Sequence, residues 1–154
     1  MLKLSIAVAL VSVVLVFRAT PGITQDGVDH TSLITKTSTS EFLVEGAKRI
    51  DHNRAHELYK SGTVFVDVRQ TWRFDTAHVR GAVSLDLYSK FTKENLAMHV
   101  KKNQPVVFYC ADSKCSWSAN ASAKALIWGY TDVYYFADGL SAWTGNNYEQ
   151  DITE

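Results

Sequence analysis

Val106-Val107-Phe108-Tyr109-Cys110-Ala111-Asp112-Ser113-Lys114-Cys115-Ser116-Trp117 is the stretch on which the reading of this chain turns. Four apolar residues after Pro105 read as a short, fully buried strand. A polar loop follows from Ala111 to Cys115, and a helical run from Ser116 to Trp128 follows the loop. Cys110 therefore stands at the carboxyl end of a central strand, where open α/β sheets bind their ligands. A thiol there faces loop N–H groups and the positive end of a helix dipole. Such surroundings lower a thiol pKa from about 8.5 into the range of roughly 3.5–7.5. They also favour an anionic persulfide or a bound oxyanion beside the sulfur. The plain alternative is a buried structural cysteine, which fits a strand end followed by a polar loop and a helix poorly.

Outward from this stretch, strand and helix signals alternate. Val64 to Val68 reads as a buried strand after the turn signal Ser61-Gly62, Ala82 to Asp86 as a weaker one, and Val133 to Phe136 as a fourth. Helical patterns cover His52–Lys60, Trp72–Ala77, Thr92–Lys101 and Ser116–Trp128. Interleaved strands and helices imply an α/β fold, a mostly parallel central sheet flanked by helices on both faces.

Composition narrows the functional classes. The 154 residues are 46% hydrophobic and 21% charged, enough apolar material for one core without a disulfide scaffold. Sixteen basic residues balance sixteen acidic ones, which favours neither nucleic acid nor an anionic membrane surface as partner. His52, His56, His78 and His99 form no metal-ligand spacing, and no metal or cofactor is expected. The two cysteines are too few for a disulfide framework, and both lie in the decisive stretch.

The amino terminus has its own character. Met1 to Lys3 are followed by an apolar run from Leu4 to Phe17, broken by Arg18. Its fourteen residues span roughly 21 Å as helix, short of the hydrocarbon core of about 30 Å. A signal peptide over residues 1–24 is the reading, with an uncleaved anchor as its rival. Residues 25–40, rich in Thr, Ser and Asp, read as a flexible lead-in to a domain over 41–150. The expected location is periplasmic or secreted, with membrane contact only through the signal segment.

The region from Glu45 to Trp143 resembles the rhodanese-like domain. Gly46-Ala47, Ile50-Asp51 and Leu58 are similar to that family's first strand and helix, and Val66-Asp67-Val68-Arg69 to its Asp-x-Arg segment. His78-Val79-Arg80-Gly81-Ala82 resembles its His-Ile-Pro-Gly-Ala signature, with Arg80 in the place of proline. Val106 to Cys110 looks like the strand that delivers the catalytic cysteine. Gly129-Tyr130-x-x-Val133 and Asp138-Gly139-Leu140-x-x-Trp143 resemble the closing elements. The resemblance implies a sulfurtransferase that carries sulfane sulfur as a persulfide on Cys110 and passes it to a thiol or another nucleophilic acceptor. The partners so implied are small sulfur donors (polysulfide, persulfide, thiosulfate) and a thiol or protein acceptor. Asp67, Arg69, His78 and Gly81 are read as structural, Asp67 anchoring a neighbouring loop or pairing with Arg69, and Gly81 permitting a tight turn.

The departures lie in the active loop. Common rhodaneses carry Cys-x-x-Gly-x-Arg-Ser; here Ser113 replaces the glycine and Cys115 the arginine. Loss of that arginine weakens the case for thiosulfate, a dianion, as donor. The loop residues Ala111, Asp112, Ser113, Lys114 and Ser116 are the expected substrate-binding set, with Lys114 either supplying positive charge or pointing into solvent. Cys115 is either a resolving thiol that closes a disulfide with Cys110 or an inert small residue. Its reach to Cys110 depends on a Cα separation that sequence does not show. Cys115-Ser116-Trp117-Ser118 also resembles a subgroup of exported rhodanese-like proteins with a second cysteine and a tryptophan, associated with quinoprotein alcohol oxidation. Phosphatases on this fold have a loop one residue longer that closes on an arginine; Ser116 stands there instead. Two readings outside sulfur transfer stay open, a thiol–disulfide oxidoreductase using Cys110 and Cys115, and a non-catalytic binding module.

Overall fold

The computed structural model describes residues 29–38 and 41–153; the expected signal segment and the start of the lead-in lie outside the described residues. A 3-10 turn at His30–Leu33 precedes strands β1 (Ile34–Lys36), β2 (Phe42–Val44) and β3 (Lys48–Ile50). Then come α1 (His52–Lys60), β4 (Val64–Asp67), α2 (Thr71–Thr76), β5 (Ala77–Val79), β6 (Val83–Ser84) and α3 (Lys93–Ala97). The chain closes with β7 (Val106–Tyr109), α4 (Trp117–Ile127), β8 (Val133–Phe136), α5 (Gly139–Gly145) and β9 (Gln150–Ile152).

Five strands form one parallel sheet in the order β3-β8-β7-β4-β6. β7 is central because all four of its residues are apolar and fully buried, as a strand covered on both faces requires. Its side chains alternate. Val106 and Phe108 enter a cluster with Val66, Leu96, Ala121 and Ala125, whereas Val107 and Tyr109 pack with Ala55, Leu58, Leu140 and Trp143. Helices α3 and α4 thus cover one face, and α1 and α5 the other. The buried side of α4 is Ser118, Ala119, Ala121, Ser122, Ala123 and Ala125, small residues that let the helix lie close on the strands.

Local chemistry sets the ends of α1. Asp51 caps it by accepting from the Arg54 N–H at 2.9 Å. At its other end Gly62, at φ +79°, donates to the Tyr59 carbonyl while Thr63 donates to that of Leu58, the paired bonds of a Schellman turn.

Two elements differ from the expectations. The described part of the lead-in is built into the domain: β1 pairs antiparallel with β2, and Leu33 and Ile34 pack beside Ala119, Ala123 and Tyr135. At the other end, β9 reaches past residue 150 and pairs antiparallel with β5. The family signature's Arg80 is explained there. Its backbone N–H donates to the Glu149 carbonyl, its Nε to Asp151 at 2.9 Å and its Nη2 to the Gln150 carbonyl. A proline in this place would offer none of the three donors. Two helices also differ from their expected bounds: α2 lies one residue earlier and ends at Thr76, where Ala77 enters β5, and α3 is shorter, stopping at Ala97. Among the described residues, no helix is long and apolar enough to cross a membrane.

Candidate active site

Parallel packing of β4 beside β7 brings Asp67 and Tyr109 into register, so the carboxyl ends of both strands open on the same edge of the sheet. Cys110 follows β7 directly. It is 2% exposed, while Cys115, at the far end of the loop, is half-buried. The two sulfurs are bonded in a disulfide across a Cα separation of 6.3 Å, inside the range such bridges span. This answers the geometric question that the sequence left open for Cys115.

The loop between them is organised by Asp112. Its Oδ1 accepts from the Lys114 N–H at 2.9 Å, and its carbonyl accepts from the Cys115 N–H at 3.1 Å. Two of the loop's donors are therefore turned back on Asp112. At its base the loop is clamped by the start of α5: Leu140 N–H donates to the Cys110 carbonyl and Ser141 N–H to that of Ala111, both at 2.9 Å. This contact is possible because residue 139 is glycine. A Cβ there would lie 2.5 Å from the Cys110 carbonyl oxygen and 2.9 Å from Ala111, and its φ of +61° disfavours any side chain.

An open cleft of about 420 Å³ faces the bridge, lined by Cys110, Ala111, Asp112, Cys115, Trp117, Arg69, Gln70 and Arg73. Of the loop residues expected to bind substrate, Ala111 and Asp112 line it. Ser113, Lys114 and Ser116 do not. Ser113 faces a small crevice beside Phe42 and Tyr135, Lys114 is exposed, and Ser116 starts α4, its carbonyl accepting from Asn120. Trp117 is half-buried against the ring of Tyr88, edge-on at 5.0 Å.

Of the residues read as structural, Arg69 forms part of the cleft wall, and it is held there by Asp67. Asp67 is fully buried and binds the Arg69 guanidinium through both carboxylate oxygens, at 2.6–3.0 Å. Arg69 also donates to the Ala77 carbonyl at 2.7 Å, which ties the end of β4 to the start of β5. Tyr109 adds its hydroxyl, accepting from the Val79 N–H at 3.1 Å. Burial, with the Asp67 charge nearby, pushes that phenol well above its ordinary value. His78 stacks on Phe74 and its Nδ1 is 2.8 Å from the Phe74 carbonyl, while Gly81 turns the chain at φ +74°. Among the described residues, no three His, Cys, Asp or Glu side chains gather where they could hold a metal ion.

Sequence reasoning did not single out Arg73 or Gln70. Both come from the segment around α2 and reach the cysteines only through the pairing of β4 with β7.

The family model for the rhodanese-like domain matches residues 51–146, and the chain belongs to that family. It is 30% identical to the thiosulfate sulfurtransferase GlpE of Ectopseudomonas mendocina over 96 residues, which cover 62% of this chain and 84% of that one. Its likeness to the GlpE of Pseudomonas syringae is 33% over 98 residues, covering 62% and 86%. Among solved structures, a Bacillus halodurans protein superposes with a TM-score of 0.62 at 21% identity, covering 71% of this chain and 80% of that one. The rhodanese-like domain of an Anabaena protein does so with a TM-score of 0.60 at 17% identity, covering 68% and 79%.

Proposed function

We propose that the protein is a sulfurtransferase in which Cys110 is the nucleophile that carries sulfane sulfur. The observation behind this reading is the placement of Cys110: at the carboxyl end of the central strand, clamped from below by α5 and at the wall of a cleft that Cys115 also lines. A small donor such as polysulfide, a persulfide or thiosulfate gives its outer sulfur to the Cys110 thiolate and leaves as a thiolate or sulfite. The persulfide then passes that sulfur to a thiol or protein acceptor, regenerating the thiolate. The likeness to the thiosulfate sulfurtransferases GlpE supports the same reading.

The bridge to Cys115 favours a second reading, thiol–disulfide exchange, in which the pair cycles between dithiol and disulfide. Sulfur transfer to Cys110 requires that the bridge first be reduced, whereas exchange starts from the bridge itself. The proposed setting is outside the cytosol, a reading that rests on the sequence of residues 1–24 alone.

The test is peptide mass spectrometry of the reduced protein after exposure to polysulfide or thiosulfate. Trypsin cuts after Lys114 and so separates Cys110 from Cys115. One added sulfur on the Cys110 peptide, removed by a thiol acceptor and absent from Cys110→Ser, supports transfer. A re-formed bridge with no retained sulfur supports exchange, and an unmodified Cys110 rejects both.

A further inference from the structure

The lining of the cleft holds one arginine whose charge is answered and one whose charge is not. Arg69 is matched by Asp67 and the Ala77 carbonyl. Asp112, the acid of the cleft, has its Oδ1 turned onto the Lys114 N–H, and Gln70 accepts from the Trp72 indole at 3.1 Å. Arg73 makes no ion pair among the described residues. Its guanidinium lies over the Trp72 ring at 4.5 Å, and that indole is 59% exposed. Stacking fixes the plane of a guanidinium while leaving its edge N–H donors open for a planar anion.

We propose that the cleft is a binding site for small anionic thiols and their persulfides, with Arg73 as the residue that holds the anion. The proposal rests on the reading of Cys110 and Cys115 as a working pair and adds the substrate class. The cleft's volume, about 420 Å³, is that of a site for one small molecule. With the loop arginine replaced by Cys115, Arg73 supplies positive charge from a different element, and Trp117 gives the site an apolar wall.

The chemistry follows from which sulfur is reachable. Cys110 is nearly fully covered and Cys115 is not, so an incoming thiolate attacks the Cys115 sulfur. A bond forms between the thiol and Cys115 as the Cys110–Cys115 bond breaks, and the electron pair leaves on Cys110 as its thiolate. A second thiolate attacks the thiol-derived sulfur of that mixed disulfide, releasing a small disulfide and the Cys115 thiolate. Two thiols are oxidised and one bridge is reduced. A persulfide of the same class, held by the same arginine, then gives its outer sulfur to Cys110 and departs as a thiolate.

The experiment compares opening of the bridge in the oxidised protein by 2-mercaptoethanesulfonate and by 2-mercaptoethanol, for wild type, Arg73→Gln and Arg73→Lys. The ratio of the anionic to the neutral rate cancels any general effect of a substitution. It is expected to fall about tenfold in Arg73→Gln, the scale of one hydrogen bond to a charged group, to be largely kept in Arg73→Lys, and to shrink with added salt in wild type. Iodoacetate against iodoacetamide on the reduced protein reads the same preference where no bridge is isolated. Equal ratios in wild type and Arg73→Gln overturn the proposal. Neither assay involves sulfur transfer, so this inference and the sulfurtransferase reading fail separately.

Discussion

Replacing Gly139 with alanine tests whether close contact between α5 and the cysteine loop holds the site in shape. Two costs are expected. The residue sits at φ +61°, where an alanine loses about 1–2 kcal/mol. The new methyl would also stand 2.5 Å from the Cys110 carbonyl oxygen, closer than any real Cβ contact. Relief requires α5 to retreat, which breaks the Leu140 and Ser141 bonds to Cys110 and Ala111, at about 1 kcal/mol each. The sum is about 3–4 kcal/mol, or a fall in Tm of about 10 °C for a domain of this size. Gly62 is the internal control. It has φ +79° but nothing within 4 Å of an added Cβ, so Gly62→Ala should lose only the backbone share, about 1–2 kcal/mol. Urea unfolding of both variants gives the difference, and iodoacetamide labelling of reduced Cys110 reports the loop. Equal losses in the two variants, with unchanged labelling of Cys110, would refute the reasoning.

Three further outcomes are expected. Asp67→Ala leaves the Arg69 guanidinium buried without its partner and should cost about 3–5 kcal/mol, read by urea unfolding; a loss under about 1 kcal/mol would show that Arg69 finds solvent. Glutathione added in limiting amount to the oxidised protein, then quenched and digested, should appear on the Cys115 peptide, because Cys110 is covered; an adduct confined to Cys110 contradicts this. The bond from Arg80 holds the Asp151 carboxyl below its ordinary value of 3.8. A depressed carboxyl adds stability that is present above that ordinary value and lost as pH falls through the lower folded one. Arg80→Ala should therefore raise the Asp151 titration seen by NMR and flatten that acid limb; an unmoved titration would remove Arg80 as the cause.

Legibility in the sequence tracked the length and purity of each local signal. Val106–Tyr109, Val133–Phe136 and His52–Lys60 match their expected bounds to the residue, because a run of buried apolar residues or a capped helix announces both ends. The β1–β2 and β5–β9 pairs were not legible. Each strand is three residues long, too short for alternation to register, and the Thr- and Ser-rich surroundings of β1 read as loop. The site divides in the same way. The position of Cys110 follows from the strand that carries it, and the family resemblance points to the same residue. The cation of the cleft does not follow: Lys114 is adjacent in sequence yet does not line the cleft, while Arg73 lies far away in sequence and does. Only the register of β4 against β7 puts it there, and register is a tertiary fact.

The span of the disulfide has a consequence for the life of the molecule. Five positions separate the two cysteines, and a ring that short takes only about 2 kcal/mol of freedom from the unfolded chain. The clusters on both faces of the sheet and the Asp67–Arg69 pair do not depend on it. Opening the bridge is therefore expected to leave the chain folded, so that limited proteolysis should give the same pattern in the reduced and oxidised states. On the proposed thiol chemistry the bridge would then open and close without release of the fold at each turn, unlike small domains that their disulfides alone hold folded.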